Sequence, residues 1–463
     1  MFKLTASICA FAMLCATAPA ISAPNLDTFR KELDTFVETQ MHTQKVPGVA
    51  IAVLRNGKIV VAKGYGWANV ELNVPVTTET MFQSGSVGKM FTAAAVMTAV
   101  EQGKMDLNDS VSKYLPDAPA SWRPITIRQL LTHTSGLPNA GADFDLRRDY
   151  TDDELVKTFY PMTLDFEPGA RWSYSNTGYQ LLGILVKKAT GQSYLDILDT
   201  HVFKPLGMKT ARAVNDADIV PNRSAGYQLV DGELKNQDWV SMFNPTGDGS
   251  LYLSLDDMIA WARGVEKGAA LSSNSWKQIY TPVRLNSGKP YPYGFGWFLD
   301  EAGGHPRYYH SGSWQGFRTF YSRYLGDDLS VILLANSADA NTYALVDGIA
   351  ALWDPTLTAP GPRPSPDSEA DRSVTALIEA ARAGTLRHQD VPLASPAALE
   401  ESNQYFMPLL KRLGPLTKLE LTDRREVGDD TVFSYAATFG ARTIKVSFAR
   451  GPGEQVSNFS IDD

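Results

Sequence analysis

The strand-forming patterns of this chain lie in two places far apart, and that separation limits the folds open to it. Near the N-terminus, apolar runs at residues 49–54 and 59–62 flank Asn56-Gly57. Both turn positions of a tight hairpin need φ > 0, which Asn and Gly tolerate best. β-Rich, aromatic runs return only at residues 295–299, 308–309, 317–324 and 330–336. Between them, residues 106–289 read mostly as helices and loops, with the clearest helices at 181–189 and 255–265. Further helices are expected at 26–44, at 90–102 (stopped by Gly103) and at 346–353. Strands at both ends of a helical middle predict an α+β fold. One antiparallel sheet is built from both ends of the domain, flanked by helices, with an all-helical subdomain inserted.

The pattern changes after residue 354. Pro355, Pro360, Pro362, Pro364 and Pro366 make residues 355–368 a semi-rigid linker between a main domain at 24–354 and a second one at 369–463. Helical runs at 373–381 and 396–413, then alternating runs at 419–422, 432–439, 443–448 and 456–461, predict a small α+β accessory domain. A length of 463 residues suits two domains.

The first 23 residues look like an address. Lys3 precedes an apolar stretch, residues 4–18, that is too short to span a bilayer, and small residues follow. A secretory signal cleaved after Ala20 or Ala23 is expected, with a short membrane anchor as the alternative, so the mature chain is expected in the periplasm or outside the cell. Both cysteines, Cys9 and Cys15, fall inside this stretch. The mature chain is therefore expected to hold no disulfide and no Cys metal site. No later segment is apolar enough to span a membrane. The net charge of −8, without Lys/Arg blocks, argues against nucleic acid as a partner. The six His show no metal-ligand spacing, and neither a metal nor a cofactor is expected.

Three local motifs carry possible chemistry. In Ser86-Val87-Gly88-Lys89 the serine and lysine are three residues apart, on one face of a helix. A serine hydroxyl needs a base within hydrogen-bond reach and donors for the oxyanion. The following residues, 91–100, are strongly apolar, so this helix is expected to be buried, and burial depresses a lysine pKa toward a useful value for a base. Ser-x-x-Lys alone is weak: roughly one chance match is expected in a chain this long. Ser110-Val111-Ser112-Lys113 is a second match here, in polar surroundings that suit a capping turn. Tyr174-Ser175-Asn176 supplies a phenol that a nearby ammonium would push toward phenolate, and an amide to hold a substrate carbonyl. His310-Ser311-Gly312 lies between strand patterns. Gly312 permits close approach of a substrate backbone, and the N–H groups of Ser313 and Ser86 could form an oxyanion hole.

These motifs, in this order, resemble the penicillin-recognising serine hydrolases: class C β-lactamases, DD-peptidases and their esterase and D-aminopeptidase relatives. The resemblance extends to Phe82-Gln83-Ser84-Gly85, to Leu130-Leu131-Thr132-His133-Thr134-Ser135-Gly136-Leu137, to Pro205-Leu206-Gly207-Met208 and to Tyr293-Gly294-Phe295-Gly296-Trp297. It implies a β-lactamase-like fold and an acyl-enzyme on Ser86, with Lys89 and Tyr174 as general bases. Asn176, His310, Gly312 and Ser313 would bind the substrate. His310 departs from the pattern, because typical β-lactamases carry Lys there. An imidazole is only partly charged at neutral pH. The implied substrates are an ester, a D-amino-acid peptide or a β-lactam. The alternative is a slowly deacylating penicillin-binding or sensor protein.

Overall fold

The structure is a computed structural model that describes residues 24–139, 145, 147–214, 218–237, 246–358, 364–393, 396–440 and 442–462. The expected export segment at 1–23, with Cys9 and Cys15, and residues 359–363 of the expected linker lie outside the described residues.

The two distant strand regions meet in one seven-stranded antiparallel sheet. Its order is 298–302, 305–314, 317–324, 329–335, 48–55, 58–69 and 74–75. The junction is the pairing of Gly48–Arg55 with Leu329–Ala335, in which Ile51 faces Leu333 and Val53 faces Val331. Asn56 and Gly57, at φ 48° and 66°, turn the first strand back on itself as the Asn-Gly signal requires. The central strands are apolar on both faces because both faces are covered. Val49, Ile51, Val53, Val331 and Leu333 pack with Phe29, Leu33 and Val37 of the helix Leu26–Gln44 and with Leu345, Val346 and Ile349 of the helix Thr342–Trp353. Ala50, Ala52, Leu54, Ile332 and Leu334 face the opposite core, which includes the helices Gly88–Glu101 and Leu255–Glu266. Leu333→Ala, at a position with no exposed surface, is expected to cost about 2–5 kcal/mol in denaturant unfolding. A loss below about 1 kcal/mol would contradict this packing.

The insert is mainly helical and also carries short strands. Met81–Gln83, Leu251–Ser254 and Arg212–Ala213 form a three-stranded sheet beside the Ser86 segment. The strand expected at 295–299 begins at Phe298 instead. Gly294 N–H donates to Trp297 O (2.8 Å), and Gly296 adopts φ +77° against the Lys89 carbonyl, so residues 293–297 turn across the helix Gly88–Glu101.

The C-terminal unit is a four-stranded antiparallel meander, Leu416–Val427, Asp430–Phe439, Arg442–Arg450 and Val456–Asp462. The helices Ser368–Ala383 and Pro396–Leu413 pack on it, and Val374, Ile378, Leu410, Tyr435, Val446 and Phe448 form its own core. It touches the main domain where Arg171 Nη1 donates to Leu393 O (2.8 Å) and Lys289 pairs with Asp429 (3.7 Å). Among the described residues no helix is long and apolar enough to cross a membrane.

Candidate active site

Ser86 sits in a single 3-10 turn, Gly85–Val87, that runs directly into the helix Gly88–Glu101. That helix is buried on every side through Ala99, as expected of one that is apolar all round. Lys89, in its first turn, has no exposed surface. Its Nζ lies 3.1 Å from Ser86 Oγ, 2.8 Å from Asn176 Oδ1 and 2.7 Å from the Asp248 carbonyl. Amide and backbone oxygens only accept. Two N–H bonds of a neutral amine are therefore committed to Asn176 and Asp248, and its lone pair is left facing the Ser86 hydroxyl. Burial holds Lys89 down to about 7, opposed in part by the Asp248 carboxylate. An unprotonated lysine is thus available near neutral pH.

Tyr174 lies on the extended segment before the helix Asn176–Thr190, whose N-cap is Ser175, and its hydroxyl is within side-chain hydrogen-bond reach of Ser86. Burial, more than any neighbouring charge, pushes this phenol above its ordinary value, although the bond to Ser86 opposes the shift. Lys89 Nζ sits over the Tyr174 ring, 4.9 Å from its centroid. The expected phenolate is thus replaced by a protonated phenol, because desolvation outweighs the bond to Ser86. Asn176 is turned toward Lys89, and Asn139 Oδ1 accepts its backbone N–H (2.7 Å).

His310, Gly312 and Ser313 all lie within the strand His305–Trp314, one place in from the sheet edge, where the sequence indicated only residues 308–309. The turn Gly85–Val87 is pressed against this strand. A Cβ on Gly312 would come within 2.1 Å of Thr319 Oγ1, 2.2 Å of Ser84 O and 3.2 Å of Ser86 N. A Cβ on Gly85 would come within 2.6 Å of Ser313 N. Thr319 Oγ1 donates to Ser84 O (2.6 Å) and fastens the contact. The backbone N–H groups of Ser86 and Ser313 are thereby brought together. The His310 ring is buried and bonds to Tyr293 Oη (3.1 Å) and to Ser311 O (2.6 Å). Burial first, then the Lys89 charge, lowers its pKa to about 3, so it carries no charge at neutral pH.

The second Ser-x-x-Lys match is a capping turn. Ser110 Oγ accepts from Ser112 N–H and donates to Arg123 O (2.8 Å), while Lys113 pairs with Asp109 (2.8 Å). Several contributors had no local signal in the sequence. Thr319 and the Asp248 carbonyl act through tertiary packing alone. His133 and Tyr293 belong to motifs already singled out, but their motifs do not show what they touch. No group of three or more His, Cys, Asp or Glu side chains arranged to hold a metal occurs among the described residues.

Comparison with known proteins gives the family. The family model "Beta-lactamase" matches residues 33–352. The chain is 31% identical over 333 residues to penicillin-binding protein 4* of Bacillus subtilis, covering 68% of this chain and 73% of that protein. It is 29% identical over 388 residues to a D-aminopeptidase of Gluconobacter oxydans, covering 79% and 71% respectively. The octameric penicillin-binding protein homologue of Pyrococcus abyssi shares the fold, with TM-score 0.62, 22% identity, and coverage of 90% of this chain and 96% of that one. The chain belongs to the beta-lactamase family and is, at family level, a serine hydrolase.

Proposed function

We propose that this protein cleaves esters or D-amino-acid amides through an acyl-enzyme on Ser86. The observation that carries the reading is the Lys89 amine. Two obligate acceptors occupy its N–H groups, and the nucleophile lies 3.1 Å from its remaining valence. In the first half-reaction Ser86 Oγ bonds to the substrate carbonyl carbon and its proton passes to Lys89 Nζ. The carbonyl oxygen, now negative, accepts from the Ser86 and Ser313 N–H groups. The Tyr174 phenol donates its proton to the leaving amine or alkoxide as the scissile bond breaks, and the Lys89 ammonium restores it. Water then releases the acyl group by the reverse sequence.

The substrate class draws on two supports. The neutral His310 offers no cation for the carboxylate of a penicillin or a D-Ala-D-Ala end, and a D-aminopeptidase stands among the relatives. The export segment read at residues 1–23 supports action in the periplasm or outside the cell. A substrate panel tests the reading: p-nitrophenyl acetate, D-alanine p-nitroanilide, a D-Ala-D-Ala peptide and nitrocefin. Turnover is expected with the first two. Efficient turnover of nitrocefin alone would overturn the substrate assignment. A long-lived penicillin adduct without product would favour the sensor alternative. A fluorophosphonate probe should leave a single adduct on Ser86, read by peptide mass spectrometry, and labelling elsewhere would refute the nucleophile.

The pH dependence follows from Lys89. The base form is the active one and the pKa is lowered, so activity is lost as pH falls through about 7. Going from pH 8 to pH 6 should lower kcat/KM about tenfold. A flat profile across that range would remove Lys89 as the base.

A further inference from the structure

We propose that His133, Tyr293 and His310 form a one-way hydrogen-bond relay that locks the Tyr174 segment to the oxyanion strand, making all three positioning residues for the acyl transfer. The inference rests on the reading of Ser86 and Tyr174 given above. His133 lies in the Leu130–Leu137 motif, is buried, and holds the left-handed conformation (φ 58°), which is uncommon for a residue other than glycine. Its ring lies against Tyr174, tilted by 33° with 4.2 Å between centroids, and its carbonyl accepts from Ser173 N–H (2.9 Å). The backbone on both sides of the catalytic phenol is thus held by one residue, because Ser175 N–H also donates to His133 Nδ1 (3.0 Å).

From there the chain continues. His133 Nε2 lies 3.1 Å from Tyr293 Oη, Tyr293 Oη lies 3.1 Å from His310 Nε2, and His310 Nδ1 lies 2.6 Å from Ser311 O. Its two ends are chemically fixed. A backbone N–H only donates and a backbone carbonyl only accepts. With both rings neutral, each ring proton then has one position. The Tyr293 hydroxyl, which also lies against Tyr179, has one proton, and His310 Nε2 is the ring acceptor left for it. His133 carries its proton on Nε2 and donates to Tyr293, Tyr293 donates to His310, and His310 carries its proton on Nδ1 and donates to Ser311. A proton added to His133 Nδ1 would confront the Ser175 N–H, and one added to His310 Nε2 would force the Tyr293 hydroxyl to turn from His310 toward Tyr179. Burial, reinforced by the Lys89 charge, also disfavours the cation on each ring. The relay spans three separate segments and ends one residue past His310, on the strand whose Ser313 nitrogen is packed against Gly85, next to Ser86. It makes the proton-donating phenol and the oxyanion donors one rigid unit, which is what preorganised acyl transfer needs.

Proton positions are read directly by long-range 1H–15N NMR of histidine-labelled protein, with His133→Asn and His310→Gln assigning the two rings. The expected result is an Nε2–H tautomer at His133 and an Nδ1–H tautomer at His310, both unchanged from pH 5 to 9. The opposite tautomer at either ring, or a midpoint near 6.5, would overturn the relay. Function supplies the second arm. Tyr293→Phe should lower kcat about 10- to 100-fold with KM within about threefold, since it misplaces groups rather than removing them. His133→Asn, which tolerates the left-handed backbone and keeps an acceptor for Ser175 N–H, should retain more kcat than His133→Leu. Equal kcat in wild type and Tyr293→Phe would reject the positioning role. Tautomers as expected in a protein whose Ser86 resists acylation would reject the proposed reaction and leave the relay's polarity standing, so the two failures are separable.

Discussion

Replacing Ser86 by alanine is expected to lower kcat/KM for p-nitrophenyl acetate by about 10⁴–10⁶-fold, as losing a catalytic nucleophile does in other serine hydrolases. The effect should be this large because nothing else at the site can take its place. Tyr174 is held protonated by burial, and the Lys89 side chain has no exposed surface. Alanine keeps the Cβ and removes one half-buried oxygen, so the turn Gly85–Val87 should persist and melting should move little. Ser110→Ala is the matched control. That serine caps a surface turn, so the variant should keep activity within about twofold of wild type while losing about 0.5–2 kcal/mol of stability. Activity of Ser86→Ala above about 1% of wild type would mean that the nucleophile lies elsewhere.

Gly312→Ala should be nearly as damaging, for a reason of space. The glycine is required because a Cβ there would meet a backbone oxygen, Ser84 O, at 2.2 Å and the Thr319 hydroxyl at 2.1 Å. The hydroxyl can rotate away, but the backbone oxygen cannot. The strand His305–Trp314 must therefore move off the nucleophile turn and take the Ser313 N–H with it. Loss of one oxyanion donor costs about 10²–10³-fold in kcat, and a similar fall is expected, together with slower fluorophosphonate labelling of Ser86. The Thr319 Oγ1 bond to Ser84 O should also be lost, so thermal stability falls. A variant within threefold of wild type in kcat/KM would show that Ser313 N–H does not contribute to the oxyanion hole.

Legibility in the sequence followed the range of the interactions. The helices Leu26–Gln44 and Pro396–Leu413 and the strand Phe317–Tyr324 begin and end where local pattern places them. Their ends are set by near neighbours: the Asn25 side chain caps the first helix, and a proline opens the second. The strand at Phe298–Ala302 was misplaced by three residues, because Gly296 turns at φ +77° against the backbone of the distant nucleophile helix, a contact no local window contains. The strand Lys58–Asn69 runs seven residues past its apolar run at 59–62 for the same kind of reason: pairing with Gly48–Arg55 carries it as far as Gly66, and pairing with Val74–Pro75 carries Trp67 and Asn69.

The site divides along the same line. Ser86 and Lys89 share a helical face by spacing alone, and the apolar run after them already required a buried lysine. Tyr174, Asn176 and His310 were legible as residues to watch, but not in the states they adopt. The sequence by itself singled out the groups proposed to carry the chemistry and the two regions that join in one sheet, because spacing and hydrophobic period are local properties. Tertiary structure alone decided the protonation of those groups. Burial acts on each residue through neighbours from other segments, and it makes Tyr174 a phenol, Lys89 an amine near neutral pH and His310 an uncharged link to Tyr293.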